Sequence, residues 1–354
     1  MLLDDLMSRL PRIVPIDREW IARAQARQLL LTKPPGSLGR LEDIANRVVA
    51  IQQTLTPKVD FARIVVFAAD HGVTAEGVAP YPSAVTAQMV SNFLVGGAAV
   101  NALAKVAGAE VVVVDVGVAS QGGPMAGTRG RRVAPGTRNM AQEPAMTPDE
   151  TRSAIAVGIA MGVDAMTAGV EVVGLGEMGI GNSTAASAVT AALTGLPAAA
   201  VTGRGTGADN RMLERKIAVI GRALERHRPD PGDPIDVLMK VGGLELAGLV
   251  GLVLAGAASR RVVVADGFIA TAAAAVAVRF CPAVADYLFA AHRSPEPGHS
   301  ALLSLIGHEP LLDLQMRLGE GTGAALAFTL IRSAVAAFTQ MATFSSAGVS
   351  DRPV

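Results

Sequence analysis

The chain has 354 residues, and 31 basic side chains balance 31 acidic ones to a formal net charge of +0, so charge gives no reason to expect nucleic acid or an anionic membrane as partner. Half of the residues are hydrophobic and only 3% aromatic, and this length gives one large domain or two smaller ones an ample core. The single cysteine, Cys281, excludes an internal disulfide and reads as a core residue. A mean hydropathy of +0.40 raises the question of membrane spans. The longest uncharged run, Met178 to Gly203, is interrupted by Asn182, Ser183, Thr184, Gly195 and Pro197, and Leu246–Ser259 is too short to cross. Met1-Leu2-Leu3-Asp4-Asp5 carries acids where a signal peptide has a basic start. The expectation is a soluble cytoplasmic protein without a membrane span.

In chain order, residues 17–56 read as two helices separated by Lys33-Pro34-Pro35-Gly36-Ser37-Leu38-Gly39. A strand, Ile64–Ala69, runs into Asp70-His71-Gly72, and a helical pattern follows over Val85–Ala107. Val111–Val114 leads into Asp115-Val116-Gly117, and the Gly-, Pro- and Arg-rich stretch Gly122–Thr147 reads as an exposed excursion or flap. Helix Pro148–Ala168 precedes strand Val170–Val173, which enters Gly174-Leu175-Gly176-Glu177. Ala198–Val201 reads as a strand into Thr202-Gly203-Arg204-Gly205, with helices over Arg211–Arg226 and Ile235–Ala258. Strands Val262–Ala265 and Tyr287–Ala290 end in Asp266-Gly267 and Ala291-His292-Arg293, and a long helix runs from Gly321 to about Ala342. Six short β-branched strands alternating with helices predict an α/β fold with a mostly parallel sheet covered on both faces. Ligands bind beyond the carboxyl ends of such strands, so the polar turns should gather along one functional rim. The terminal helices, lacking strand partners, should pack together as a small helical lobe.

One phrase occurs twice: Leu175-Gly176-Glu177 and Leu318-Gly319-Glu320, each followed by glycines and an alanine-rich helix. Glycines let a ligand approach the main chain, and helix N-termini attract anions. A glutamate in such a place complements the helix dipole or does proton chemistry, and its doubling among glycines favours the second. Gly174-Leu175-Gly176-Glu177-Met178-Gly179 also fits the G-x-G-x-x-G dinucleotide fingerprint. The next strand end, Thr202-Gly203-Arg204-Gly205, lacks the expected acid, and Glu177 would repel a pyrophosphate. An NAD(P)-dependent oxidoreductase is therefore the weaker alternative. His292 and His299 flank Glu296, but Pro295 and Pro297 prevent the helix that would align them on a metal. Asp266 reads as a helix cap or an acceptor of a substrate hydroxyl, and Lys216 as part of a solvated helix face.

Taken together, several long strings resemble one family. They are Lys33-Pro34-Pro35-Gly36-Ser37-Leu38-Gly39-Arg40-Leu41-Glu42, Ala69-Asp70-His71-Gly72-Val73 with Glu76-Gly77-Val78, and Gly176-Glu177-Met178-Gly179 with Asn182. Lys240-Val241-Gly242-Gly243, Asp266-Gly267-Phe268 and Met316–Ala327 complete the set. The chain resembles the nicotinate-nucleotide–dimethylbenzimidazole phosphoribosyltransferases of cobalamin synthesis over about residues 30–330. The resemblance implies a Rossmann-like large domain at 61–310, and a small helical domain built from 1–60 and 311–354. It implies a homodimer that needs no cofactor and moves the 5-phosphoribosyl group of nicotinate mononucleotide to 5,6-dimethylbenzimidazole. The products would be nicotinate and α-ribazole 5′-phosphate.

The resemblance also assigns roles. Glu320 would be the general base that takes the benzimidazole proton, and Glu177 would lie near the ribose or support that base. Gly179, Gly203, Gly205, Lys216 and Ser294 would hold the phosphate, overriding the solvated-face reading of Lys216. Asp266 would orient a ribose hydroxyl, and Tyr81, Gln88, Met89 and Leu318 would wall the aromatic base.

Overall fold

A computed structural model describes residues 10–120 and 123–350, so Met1–Asp5 and Gly122 lie outside the described residues. Two helices open it, α1 (Arg18–Gln28) and α2 (Arg40–Gln52). The first strand, β1 (Ala62–Ala69), is buried at every position. Helices α3 (Ala84–Leu94) and α4 (Ala99–Val106) precede β2 (Ala109–Gly117) and the two-residue β3 (Arg129–Gly130). Then come α5 (Pro148–Thr167), β4 (Val172–Met178), α6 (Asn182–Thr194), α7 (Ala198–Val201), α8 (Asn210–His227), α9 (Pro234–Val241) and α10 (Leu244–Ala258). The remainder is β5 (Val262–Ala265), α11 (Phe268–Phe280), β6 (Leu288–Ala290), α12 (Pro297–Ile306), α13 (Thr322–Gln340) and α14 (Phe344–Ala347).

Six strands form one sheet in the order β3-β2-β1-β4-β5-β6, and every pairing is parallel. Continuous Val, Ile and Ala runs suit a parallel sheet buried on both faces. Strand alternation decides which helix covers which face. Phe67 of β1 meets Gly248 of α10, whereas Ile64 on the opposite face meets Gly321 at the head of α13. All fifteen residues of α10 are buried, and small residues let α5 lie against it: a Cβ on Gly158 or Gly251 would strike backbone of the partner helix. At the chain ends, α1 packs on α2 and α2 on α13. Arg27 donates to the carbonyls of Phe338 and Thr339, and Leu31 bridges to Thr343.

The sixth strand differs from the one read in the sequence. Ala198–Val201 is a single helical turn entered from Pro197, as an Ala-Ala-Ala-Val segment with high helix propensity favours. Its place in the sheet is taken by β3, whose two residues pair with Val114 and Asp115 and are too short to leave a periodic signal. The described part of 122–147 is correspondingly no free excursion. Thr137 donates to the Asp70 carbonyl and accepts from Gly72, and Ala145 and Met146 donate to Lys240 and Met239. Val85–Ala107 breaks at Val95–Ala98, where Gly96 is left-handed, and Ile235–Ala258 breaks at Gly242-Gly243. Ala84–Val106 and Thr322–Gln340 are apolar enough to cross a membrane by length and composition. The first is two helices here, and α13 carries a buried row from Ala324 to Phe338 into the core.

Helix α5 opens with a capping box: Thr147 Oγ1 accepts from Glu150 N at 3.1 Å, and Glu150 Oε2 accepts from Thr147 N at 2.6 Å. Hydrogen bonding to Arg138 holds the Glu150 carboxyl down at about 2. A carboxyl with a depressed folded-state pKa stabilises the fold above its ordinary value and loses that contribution as pH falls toward the folded value. Glu150→Gln should therefore be less stable than the parent in urea melts at pH 7. The gap should close between about pH 4.5 and about 2, and a gap that persists at pH 2 contradicts the charge account.

Candidate active site

Because every strand is parallel, their carboxyl ends form one rim: Asp70-His71 after β1, Glu177 in β4, Asp266 after β5 and His292 after β6. The order reverses between β1 and β4, where ligands bind in open parallel sheets. A cavity of about 380 Å³ lies over this rim and extends past the Gly205 loop to Lys216 and the mouth residues Tyr81 and Met89.

Glu320 stands on a loop whose backbone is left-handed for three residues, φ being +89° at Gly319, +65° at Glu320 and +97° at Gly321. That conformation is disfavoured for a glutamate and marks a position held by its surroundings. A Cβ on Gly319 would collide with Glu177 Oε1, and one on Gly321 would come within 2.6 Å of Ile64 Cγ2. Beneath the loop, a Cβ on Gly176 would meet the Glu320 carbonyl at 2.6 Å and Val66 Cγ2 at 2.9 Å. Gly174 and Gly176 therefore lie within β4, where the sheet needs room for α13 and its loop. They are not the phosphate-binding turn of a dinucleotide fingerprint.

Asp266 fixes the loop from below. Its carboxylate accepts from the amides of Gly321 at 3.1 Å, Gly323 at 2.5 Å and Ala324 at 3.1 Å. Asp266 is thus a helix cap, but the helix it caps is α13 and not α11, which follows it in sequence. Glu177 Oε1 accepts from Glu320 N at 3.4 Å, and its Oε2 from Asn182 Nδ2. The Glu320 carboxylate accepts from Val100 N at 3.3 Å.

Burial dominates the electrostatics. It raises Glu177 well above the usual carboxylate range, and the neighbouring Asp266 and Glu245 raise it further against the Asn182 hydrogen bond. Burial also raises Asp266, opposed by His292 and the α13 amides. Glu320 is raised by burial, the Val100 amide opposing and Asp266 adding to the shift. Behind the rim, His71 Nε2 and Glu245 Oε1 lie 2.7 Å apart and fully buried.

At the cationic end Lys216 is only 1% exposed, so it is no solvated face. Its Nζ donates to Ser183 Oγ and the Gly203 carbonyl, each at 3.1 Å. Burial lowers its pKa, with Glu296 opposing. Gly205 N donates to Glu296 Oε1 at 2.8 Å. Ser294 N donates to His299 Nδ1 at 2.9 Å, and His299 Nε2 lies 3.1 Å from Thr271 Oγ1. Burial depresses His299 to about 3 and keeps it neutral, so both ring nitrogens serve the scaffold.

Of the residues singled out in the sequence, Glu320, Glu177, Gly179, Gly205, Lys216, Asp266, Ser294, Tyr81, Met89 and Leu318 all line the cavity. Gln88 does not: it is exposed on α3. Gly203 sits behind the wall, its carbonyl holding Lys216 and its α-carbon against the Glu296 carboxylate. Glu296, Arg317, His292 and Ser183 also line the cavity without having been assigned there. Arg317 lies in the same Met316–Ala327 string as Glu320, and Glu296 stands between Pro295 and Pro297.

A family model described as phosphoribosyltransferase matches residues 13–349. A nicotinate-nucleotide–dimethylbenzimidazole phosphoribosyltransferase of Geobacter sulfurreducens is 54% identical over 346 residues, 98% of each chain. One from Chloroflexus aurantiacus is 51% identical over 350 residues, covering 99% of this chain and 100% of the relative. The chain belongs to this phosphoribosyltransferase family. Among solved structures, an enzyme of the same name from Thermus thermophilus superposes with a TM-score of 0.89 at 47% identity, covering 95% of this chain and 100% of that one. A second crystal structure, titled CobT and from the same organism, gives 0.90 at 48% identity, covering 94% and 99%. The fold is thus the α/β fold of these enzymes, and the oxidoreductase alternative has no support.

The packing under Glu320 makes a prediction. Gly176→Ala must displace backbone, so it should lower stability by about 1–3 kcal/mol in thermal or urea melts. An unchanged melting curve contradicts the close approach of β4 and the Glu320 loop.

Proposed function

We propose that this protein transfers the 5-phosphoribosyl group of nicotinate mononucleotide to 5,6-dimethylbenzimidazole, giving α-ribazole 5′-phosphate and nicotinate. The observation that carries the reading is a buried carboxylate, Glu320, on a rigid loop between an apolar mouth and a cationic end within one cavity. Benzimidazole is a weak nucleophile while one ring nitrogen keeps its proton. Glu320, made more basic by burial, takes that proton as the other nitrogen attacks C1′ of the ribose. The C1′–N bond to the pyridinium breaks, its electron pair stays on the nicotinate nitrogen, and the leaving group needs no acid. Direct displacement inverts C1′ and converts a β-nucleotide into an α-product.

The remaining residues bind and orient. Lys216, Ser294, the Gly205 amide and Gly179 at the mouth of α6 suit a phosphate, with Arg317 adding charge. Asp266, its carboxylate engaged by the α13 amides, holds the floor of the site; His292 faces the ribose, and Tyr81, Met89 and Leu318 offer soft walls to a flat aromatic ring. Glu177 holds the Glu320 backbone through Oε1. We further propose that the working form is a cytoplasmic homodimer. Val95, at 82% exposed, and Val106, at 86%, are apolar side chains left in water at the ends of α3 and α4. Sedimentation should give twice the chain mass, and a monomer at micromolar concentration contradicts that proposal.

Incubation with nicotinate mononucleotide and dimethylbenzimidazole should release nicotinate and α-ribazole 5′-phosphate in equal amounts, and the absence of both overturns the reading. Because a base must be ionised to act, kcat/KM should fall as pH drops through the raised value of Glu320. The acid limb should thus lie above the ordinary glutamate value of about 4.5. Glu320→Gln should remove most of the rate and the limb together; a limb unchanged in that variant excludes Glu320 as the base.

A further inference from the structure

We propose that Glu296 stands in for a phosphate oxygen in the free protein, so that a phosphomonoester enters this end of the cavity together with one proton. The proposal rests on the phosphoribosyl reading of that end. Glu296 is 8% exposed. Its Oε1 accepts the Gly205 amide, while Oε2 is buried with no hydrogen-bond partner. The carboxylate lies flat against Gly203, where any Cβ would collide with it. It also lines the cavity with Lys216 and Ser294, and so takes up the amide that an anion would seek.

The charged groups around it are few. From α8 comes Lys216, whose ammonium directs two protons to Ser183 and Gly203 and not to Glu296. From the loop before α13 comes Arg317, whose positive charge acts on Glu296. Arg204, on the Gly205 loop, turns its guanidinium to the Ala208 carbonyl and Asn210. His299 on α12 is neutral and held by Ser294 N and Thr271. Burial already raises the Glu296 pKa against Lys216 and Arg317.

A phosphate dianion beside this buried carboxylate would set like charges in a low-dielectric wall. A proton on Glu296 removes the repulsion. Pro295 and Pro297 on either side fix φ and hinder the backbone from withdrawing the side chain. The sign follows from linkage. Above the free-protein pKa of Glu296, binding takes up a proton, so affinity falls up to tenfold per pH unit.

Ribose 5-phosphate tests this without the transfer reaction, since a phosphomonoester with a second pKa near 6 is already dianionic at about pH 7.5–8.5. Calorimetric titrations in buffers of different ionisation enthalpy count the protons taken up. The parent should take up more protons than Glu296→Gln, and the variant should bind more tightly at pH 8 with a flatter pH dependence. Equal proton counts, weaker binding by the variant, or no ribose 5-phosphate binding by either overturns the proposal. Zero uptake by the parent across this range overturns it without the variant. Proton-linked binding with no nicotinate release would sink the transferase reading alone, whereas transfer with no proton linkage would sink this inference alone.

Discussion

The Asp266 carboxylate, closed on the amides of Gly321, Gly323 and Ala324, is the contact on which the site depends. It joins the end of β5 to the start of α13, two elements more than fifty residues apart in the chain. A helix N-terminus leaves amides without partners, and a buried carboxylate satisfies them while meeting the positive end of the dipole. The sheet rim thereby holds the strained Glu320 loop, which would otherwise relax from its left-handed backbone. Glu177 adds a second tie from β4, and Gly174 and Gly176 clear the floor beneath. Nothing in the loop's own sequence would keep Glu320 aimed into the cavity.

That anchoring has an electrostatic consequence. Glu177, Asp266 and Glu320 are buried at the rim with Glu245 behind them, and repulsion from Asp266 and Glu245 reinforces the effect of burial in raising Glu177. The compensation is specific: His71 against Glu245, His292 near Asp266 at 3.8 Å, and Asn182 on Glu177. A fold selected for stability alone would fill this space with apolar side chains. Raised carboxylates in a cleft are what proton transfer near neutral pH requires. The cationic end carries the opposite arrangement, a buried lysine and a carboxylate in one anion-sized space.

The α/β layout was legible because parallel strands buried on both faces appear as unbroken β-branched runs, and four of the strands read there are present. A fifth, Val170–Val173, was found but ended too early, since glycines look like a turn until α13 is seen lying on them. Strand β3 left no signal at two residues, and α7, a four-residue apolar run before a glycine turn, is too short for periodicity to tell helix from strand. Both glutamates were visible because the Leu-Gly-Glu phrase repeats. Their different roles come from the family resemblance and not from the phrase itself, which hides that Glu177 reaches the rim from inside a strand and Glu320 from a loop. Lys216 was legible only through the family strings, since Glu214-Arg215-Lys216 looks solvated until α8 is docked. Gln88 shows the converse: it shares α3 with Met89 but is exposed and does not line the cavity.

The most direct test of this account is a double-mutant cycle on turnover between Asp266 and Glu320. If Asp266 acts by holding the loop that aims Glu320, then Asp266→Ala should lower kcat strongly in the parent and little further in the Glu320→Ala background. Additive losses, with Asp266→Ala costing the same factor in both backgrounds, would contradict the claim that this carboxylate works through Glu320.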